Sequence, residues 1–167
     1  KRLYLNMTRG HELIILQRMK LHPFQMHGGA FIVDILVGGI PLRCTVDTGA
    51  PGPISLNHNS IKKLKCVKHE HKLNQMGVNN ENICSEIISA DVEFCGKEFK
   101  TVPIFVNDSE ADEIDGYIGL GFLRAFDILI TFSGIGFCLN GLSMKTVEEY
   151  TQYSKKGSCP VSFLCAN

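Results

Sequence analysis

Asp47, Thr48 and Gly49 stand in a row directly after an alternating apolar segment. A carboxylate therefore closes a strand, followed by a small β-branched hydroxyl and by a glycine that lets backbone approach closely. A carboxylate held at a sheet edge in this way serves as a general base or acid. Taken alone, an Asp-x-Gly after a strand is most often only a turn, so its surroundings decide what it does. A second cluster, Cys66, His69, His71 and Cys84, consists of ligand types that zinc accepts. Its spacing matches no closed structural site, so no metal is expected, and nothing in the chain calls for a cofactor. The six histidines read as surface or structural groups rather than catalytic ones.

The elements that must position Asp47 are legible in the periodicity. Phe31, Val33, Ile35 and Val37 fall on alternate positions, and the alternation resumes at Ile40, Leu42, Cys44 and Val46. This predicts a hairpin over residues 30–47, with Gly38-Gly39 supplying the positive φ of a two-residue turn. A second hairpin is expected from residues 84–94 and 99–106 around Cys95-Gly96-Lys97, and a third over 127–139 with its turn at Ser133-Gly134. Helix signals are short: one turn at 60–65, one at 121–126, and a capped segment at 143–153. Leu13-Ile14-Ile15-Leu16 reads as a strand that pairs either with the body of the protein or with a second copy.

Composition narrows the function. At 167 residues, 44% hydrophobic and 20% charged, the chain has the size and apolar content of one self-sufficient domain. Seventeen basic residues balance seventeen acidic ones, so there is no basic field to hold nucleic acid or an anionic membrane. No apolar run approaches the roughly 20 residues that span a bilayer. Seven cysteines form no tight framework, and several sit in apolar runs such as Phe94-Cys95 and Phe137-Cys138-Leu139. Reduced, buried thiols in an intracellular, cytoplasmic setting are expected. The chain starts with Lys, which reads as a piece processed from a longer chain or polyprotein.

What gives Asp47 its weight is the combination of Val46-Asp47-Thr48-Gly49-Ala50 after a hairpin with the later triplet Tyr117-Ile118-Gly119. Together they resemble the aspartic proteases of the retroviral, retropepsin type. In that family the Asp-Thr-Gly loop carries the catalytic carboxylate and the triplet lies behind it as a strand. The resemblance implies a flap hairpin, for which residues 74–80, Asn-Gln-Met-Gly-Val-Asn-Asn, are the candidate, with 83–94 as the returning strand. It implies a short helix and a last strand after the triplet, where 121–126 and 127–130 fit. The stretch from Gly119 to Leu123 is closest in appearance to the retropepsin-like domains of DNA-damage-inducible, ubiquitin-linked proteins and to retroelement proteases. Two departures stand out: Pro51 replaces an acidic residue common after the Ala, and Leu120 replaces an arginine common after the triplet. These two charges pair in the family, so their joint loss leaves no orphan charge.

The resemblance implies an all-β fold: a closed retropepsin-like barrel with a flap hairpin and one or two short helices, acting as a symmetric homodimer. The chain divides accordingly into an N-terminal extension (1–27), the protease domain (28–141) and a C-terminal extension with a short helix (142–167). Peptide hydrolysis by this route needs two carboxylates, and no second Asp-Thr/Ser-Gly exists, so the pair must come from Asp47 of two chains. Two carboxylates that close share one proton, and activity is expected at acid to neutral pH. The implied catalytic residues are Asp47, Thr48 and Gly49. The implied substrate-binding residues are Ala50, Met76, Gly77, Val78, Asn79, Ile118 and Gly119, receiving an extended polypeptide as an added strand. The competing reading is a retropepsin-fold dimerisation or peptide-binding module with little or no activity.

Overall fold

The computed structural model describes residues 20–23, 25–65, 67–76, 82–107, 113–131 and 134–141. Eleven strands and two single-turn helices follow one another: β1 (Lys20–Pro23), β2 (Met26–His27), β3 (Ala30–Val37), β4 (Ile40–Asp47), β5 (Ile54–Asn57), α1 (His58–Ile61), β6 (Val67–Met76), β7 (Asn82–Phe94), β8 (Lys97–Asn107), β9 (Gly116–Gly119), α2 (Leu120–Leu123), β10 (Phe126–Thr131) and β11 (Gly134–Leu139).

The predicted first hairpin forms as expected. β3 and β4 pair from Ile32↔Thr45 to Val37↔Ile40, and the turn between them has φ of 56° at Gly38 and 80° at Gly39. That left-handed pair matches the strand twist and is open to glycine at little steric cost. Val33, Ile35, Val37, Leu42 and Cys44 point into the core while Asp34, Pro41 and Arg43 are exposed, which is the alternation read from the sequence. The second hairpin also forms, between β7 and β8, with its turn at Cys95-Gly96. The third joins β10 and β11.

Six strands close on themselves. The order β3-β4-β9-β5-β8-β7 returns to β3 through the pairs Leu36↔Glu93 and Val37↔Val92, giving a closed barrel with no edge between its first and last strands. β2 and β6 extend this sheet beyond the barrel, and β1-β11-β10 form a separate three-stranded sheet. The barrel is filled by Val33, Ile35, Leu42, Ile54, Leu56, Ile88, Val92, Ile104 and Ile118. Between barrel and small sheet lies an aromatic wedge in which Phe94 contacts Phe122, Phe126 and Phe137 at centroid distances of 4.8–5.9 Å in edge-to-face geometry, while His22 from β1 stacks on Phe94.

Several expectations need adjustment. β5 was not signalled by the sequence: Ile54, Ser55, Leu56 and Asn57 are all buried, so it shows no alternation. The N-terminal strand that the structure describes is β1, at residues 20–23 and paired with β11, and Leu13–Leu16 lies outside the described residues, as does the helix expected at 143–153. Residues 26–27, assigned to the extension, pair with β3. Among the described cysteine side chains, Cys44 is buried. Cys95 sits in the β7–β8 turn and Cys138 on β11, both half-buried. Among the described residues no helix is long and apolar enough to cross a membrane.

Candidate active site

β9 is the element on which the site is built. It lies between β4, which it joins in parallel (Cys44↔Gly116 to Asp47↔Gly119), and β5, which it joins in antiparallel fashion. The chain leaving β4 must therefore pass around the end of β9 before returning as β5. Residues 48–53 make that passage, and their main chain grips β9 from outside. Gly119 N–H donates to Pro53 O at 2.8 Å, Leu120 N–H to Ala50 O at 2.7 Å and Gly121 N–H to Gly52 O at 3.0 Å. These last two donors belong to the first turn of α2, which has no side-chain cap, so loop carbonyls satisfy its orphan N–H groups.

The grip requires glycine at both ends of β9. A Cβ on Gly119 would lie 2.3 Å from Gly52 O and 2.8 Å from Ala50 O, and one on Gly116 would lie 2.0 Å from Ser55 O. Neither residue has a positive φ, so space rather than conformation selects glycine here. The start of β9 is held by a polar cluster that sequence reasoning missed. The Asp115 carboxylate accepts from Arg43 N–H at 2.8 Å and from the Ser60 hydroxyl at 2.5 Å. Asn57 donates its side-chain amide to Ile114 O and caps α1 by accepting from Ser60 N–H at 2.8 Å. An acid directly before the glycine of a short strand was the available signal, but nothing in sequence linked it to Arg43 or Ser60.

Asp47 ends β4 and its side chain is exposed, as are Thr48 and Gly49. One carboxylate oxygen accepts from Gly49 N–H at 2.8 Å, and Ala50 N–H turns back to Asp47 O at 3.3 Å. The motif thus folds into a tight turn that holds one oxygen of the carboxylate and leaves the side chain exposed. A Cβ on Gly49 would stand 3.2 Å from that same oxygen, which accounts for the glycine.

The other candidate residues are distributed unevenly around this point. Ala50 is half-buried beside the carboxylate turn. Met76 ends β6, paired with Asn82 of β7, so the two long strands expected of a flap are present, while Gly77, Val78 and Asn79 lie outside the described residues. Ile118 is wholly buried in the barrel core and Gly119 is buried under the 50–53 turn, so in the single chain both lie behind the Asp47 turn and support it, with no exposed side chain there to form a wall. Cys66 and the side chains of His69, His71 and Cys84 also lie outside the described residues. Burial pushes the Cys44 thiol up, with Asp115 and Asp34 adding to the effect, so this cysteine is a packed apolar group and not a nucleophile.

The fold is similar to that of a retropepsin-like aspartic protease from Rickettsia conorii, with TM-score 0.53 and 22% identity over 71% of this chain and 92% of that one. A second similar structure is that of EIAV protease complexed with the inhibitor HBY-793, with TM-score 0.46 and 20% identity over 60% of this chain and 90% of that one. No protein-family model and no curated protein matches the sequence. The chain has a retropepsin-like all-β fold, with the Asp-Thr-Gly turn and the Tyr-Ile-Gly strand adjacent in space.

Proposed function

We propose that this chain is an aspartic endopeptidase that cuts extended polypeptides as a symmetric homodimer. The observation that carries the reading is the exposed Asp47 carboxylate at the end of a barrel strand, one oxygen held by Gly49 N–H and the segment that follows clamped to β9 and α2 by three main-chain hydrogen bonds. Two such turns facing each other across a twofold axis make a dyad that shares one proton. The ionised carboxylate takes a proton from water, the protonated one donates to the substrate carbonyl oxygen, and water oxygen attacks the carbon. In the collapse of the resulting gem-diol one carboxyl protonates the amine nitrogen as the C–N bond breaks, while a gem-diol hydroxyl returns its proton to the other carboxylate, which restores the shared-proton state. Thr48, whose side chain is exposed beside Asp47, is assigned to the hydrogen bond across the axis.

In this reading the substrate lies as an added strand between the Gly49-Ala50 turn and the hairpin of β6 and β7. Ala50 and Met76 contact it together with Gly77, Val78 and Asn79 of the hairpin tip. Ile118 and Gly119 act from beneath, by fixing the turn. The Cys44 thiol, packed in the core as an apolar group, supports placing the activity in a reducing, intracellular compartment.

The test is cleavage of a mixed peptide library between pH 4 and 7 by wild type and Asp47→Asn at several protein concentrations. Wild type is expected to cut, Asp47→Asn to lose at least about a hundredfold in rate with unchanged melting temperature, and specific activity to fall on dilution below the dimer constant. A folded dimer that cuts nothing at any pH would move the function to peptide binding or dimerisation.

A further inference from the structure

The turn that carries Asp47 has a property that bears on which substrates it takes. An added strand needs alternating donors and acceptors from its neighbour. Between Ala50 and Pro53 the donors are missing: Ala50 N–H is turned back to Asp47 O, Pro51 and Pro53 have no N–H, and Gly52 is buried against Phe105, whose ring carbons would lie 2.8 and 2.9 Å from a Cβ placed there. The acceptors are mostly committed as well, since the carbonyls of Ala50, Gly52 and Pro53 receive the N–H groups of Leu120, Gly121 and Gly119. The chain therefore spends this segment's main chain on holding β9, and Pro51, half-buried between two committed residues, offers a substrate a carbonyl at most.

We infer that Pro51 is a specificity-determining residue: it denies the substrate backbone a donor just beyond the carboxylate turn, so on that side the added strand's main-chain pairing stops next to the cut and residues farther out are read through side chains. This rests on the proteolytic reading above. A substrate carbonyl facing residue 51 keeps its water instead of trading it for a protein N–H, so lengthening the peptide past that point adds little to binding in the transition state.

The experiment is a ladder of peptides built on one cleaved sequence and extended residue by residue on each side of the scissile bond. Each is assayed for kcat/KM, and its uncleavable reduced-amide counterpart for affinity, with wild type and Pro51→Ala. Wild type is expected to gain less than about twofold from extension on one side beyond the residues next to the cut. Pro51→Ala, which restores one N–H, is expected to gain about three- to tenfold from that same extension while short peptides are cut as before. Pro51→Ser, with the same N–H, serves as the check should the alanine variant not fold, and is expected to behave alike. A wild type that already gains tenfold from extension on both sides overturns the inference, as does a folded variant with an unchanged length profile. Those outcomes leave the proteolytic reading standing, whereas wild type that neither cuts nor binds any peptide overturns both.

Discussion

The two ends of the barrel are held together by different physics. Around Asp47 the contacts are main chain to main chain: three hydrogen bonds from the 50–53 turn to β9 and α2, and glycines at 116 and 119 that let strands approach within what a Cβ would occupy. Around Phe94 they are side chain to side chain, with three phenylalanines meeting Phe94 edge to face and His22 stacked on it between two sheets. Main-chain contacts fix position closely and tolerate no added atom, because a carbonyl oxygen cannot rotate out of the way. Side-chain contacts supply burial in bulk and relax around a change. The Asp47 carboxylate is thus placed by the rigid kind of contact, and the fold's cohesion is left to the adaptable kind.

The largest effect that would test this contrast is Gly119→Ala. The new methyl would lie within 3 Å of both Ala50 O and Gly52 O, and moving either carbonyl breaks a hydrogen bond to α2. A loss of more than about 4 kcal/mol, or no folded protein, is expected in chemical denaturation. Phe94→Ala comes next. Phe94 is 1% exposed and faces four other rings, so a loss of about 3–5 kcal/mol is expected, with the hairpins still formed. The contrast lies in the partial repairs: Phe94→Leu should recover much of that loss, whereas Gly119→Ser should recover nothing. If Gly119→Ala proves as mild as a surface change, the main-chain grip is not what positions Asp47.

The same division explains what the sequence discloses. The hairpins of β3–β4 and β7–β8 are legible because alternation and turn residues are local, as in Gly38-Gly39 with its two positive φ values. Asp47-Thr48-Gly49 and Tyr117-Ile118-Gly119 are legible as motifs, and they prove to be adjacent strand ends. β5 is not legible, because all four of its residues are buried and its partners β8 and β9 lie some fifty or more residues away in the chain. Nor is the carbonyl grip of residues 50–53, since a main-chain hydrogen bond leaves no mark in side-chain identity beyond the glycines that make room for it. Ile118, which the resemblance implies as a substrate-binding residue, is completely buried in the single chain because β9 is a central strand. Cys95 reads both as a buried thiol, from its apolar neighbours, and as the start of the β7–β8 turn, and it takes the turn position, left-handed with φ of 54°.

The smallest expected effect concerns a third kind of contact, a charged side chain bracing a bulge on the surface. Where the β7–β8 register shifts, between Ala90 and Val92, Asp91 accepts from Lys100 Nζ at 2.8 Å and from Thr101 N–H at 3.0 Å, and Thr101 has φ of 54°. Lys100 also bonds Glu98. The hydrogen bond from Lys100, and after it the one from Thr101 N–H, hold the Asp91 carboxyl below its usual range. The bonds to Asp91 and Glu98 raise Lys100. A group depressed on folding stabilises above its unfolded pKa, and that contribution disappears as pH falls through the folded value. A group raised on folding stabilises below its unfolded pKa and loses that contribution as pH rises through the folded one. Asp91→Asn keeps an acceptor for Thr101 N–H and removes only the charge. Its melting temperature should fall slightly below wild type near neutral pH, and the gap should close as pH falls through and below the ordinary aspartate range and shrink in high salt. Asp91→Ala removes the acceptor too, so any gap between the Ala and Asn variants that persists at acid pH measures the bond to Thr101, a main-chain restraint of the kind that holds Asp47. If the two variants melt together at every pH, Thr101 N–H takes no stability from that bond, and the bulge is held by strand pairing alone.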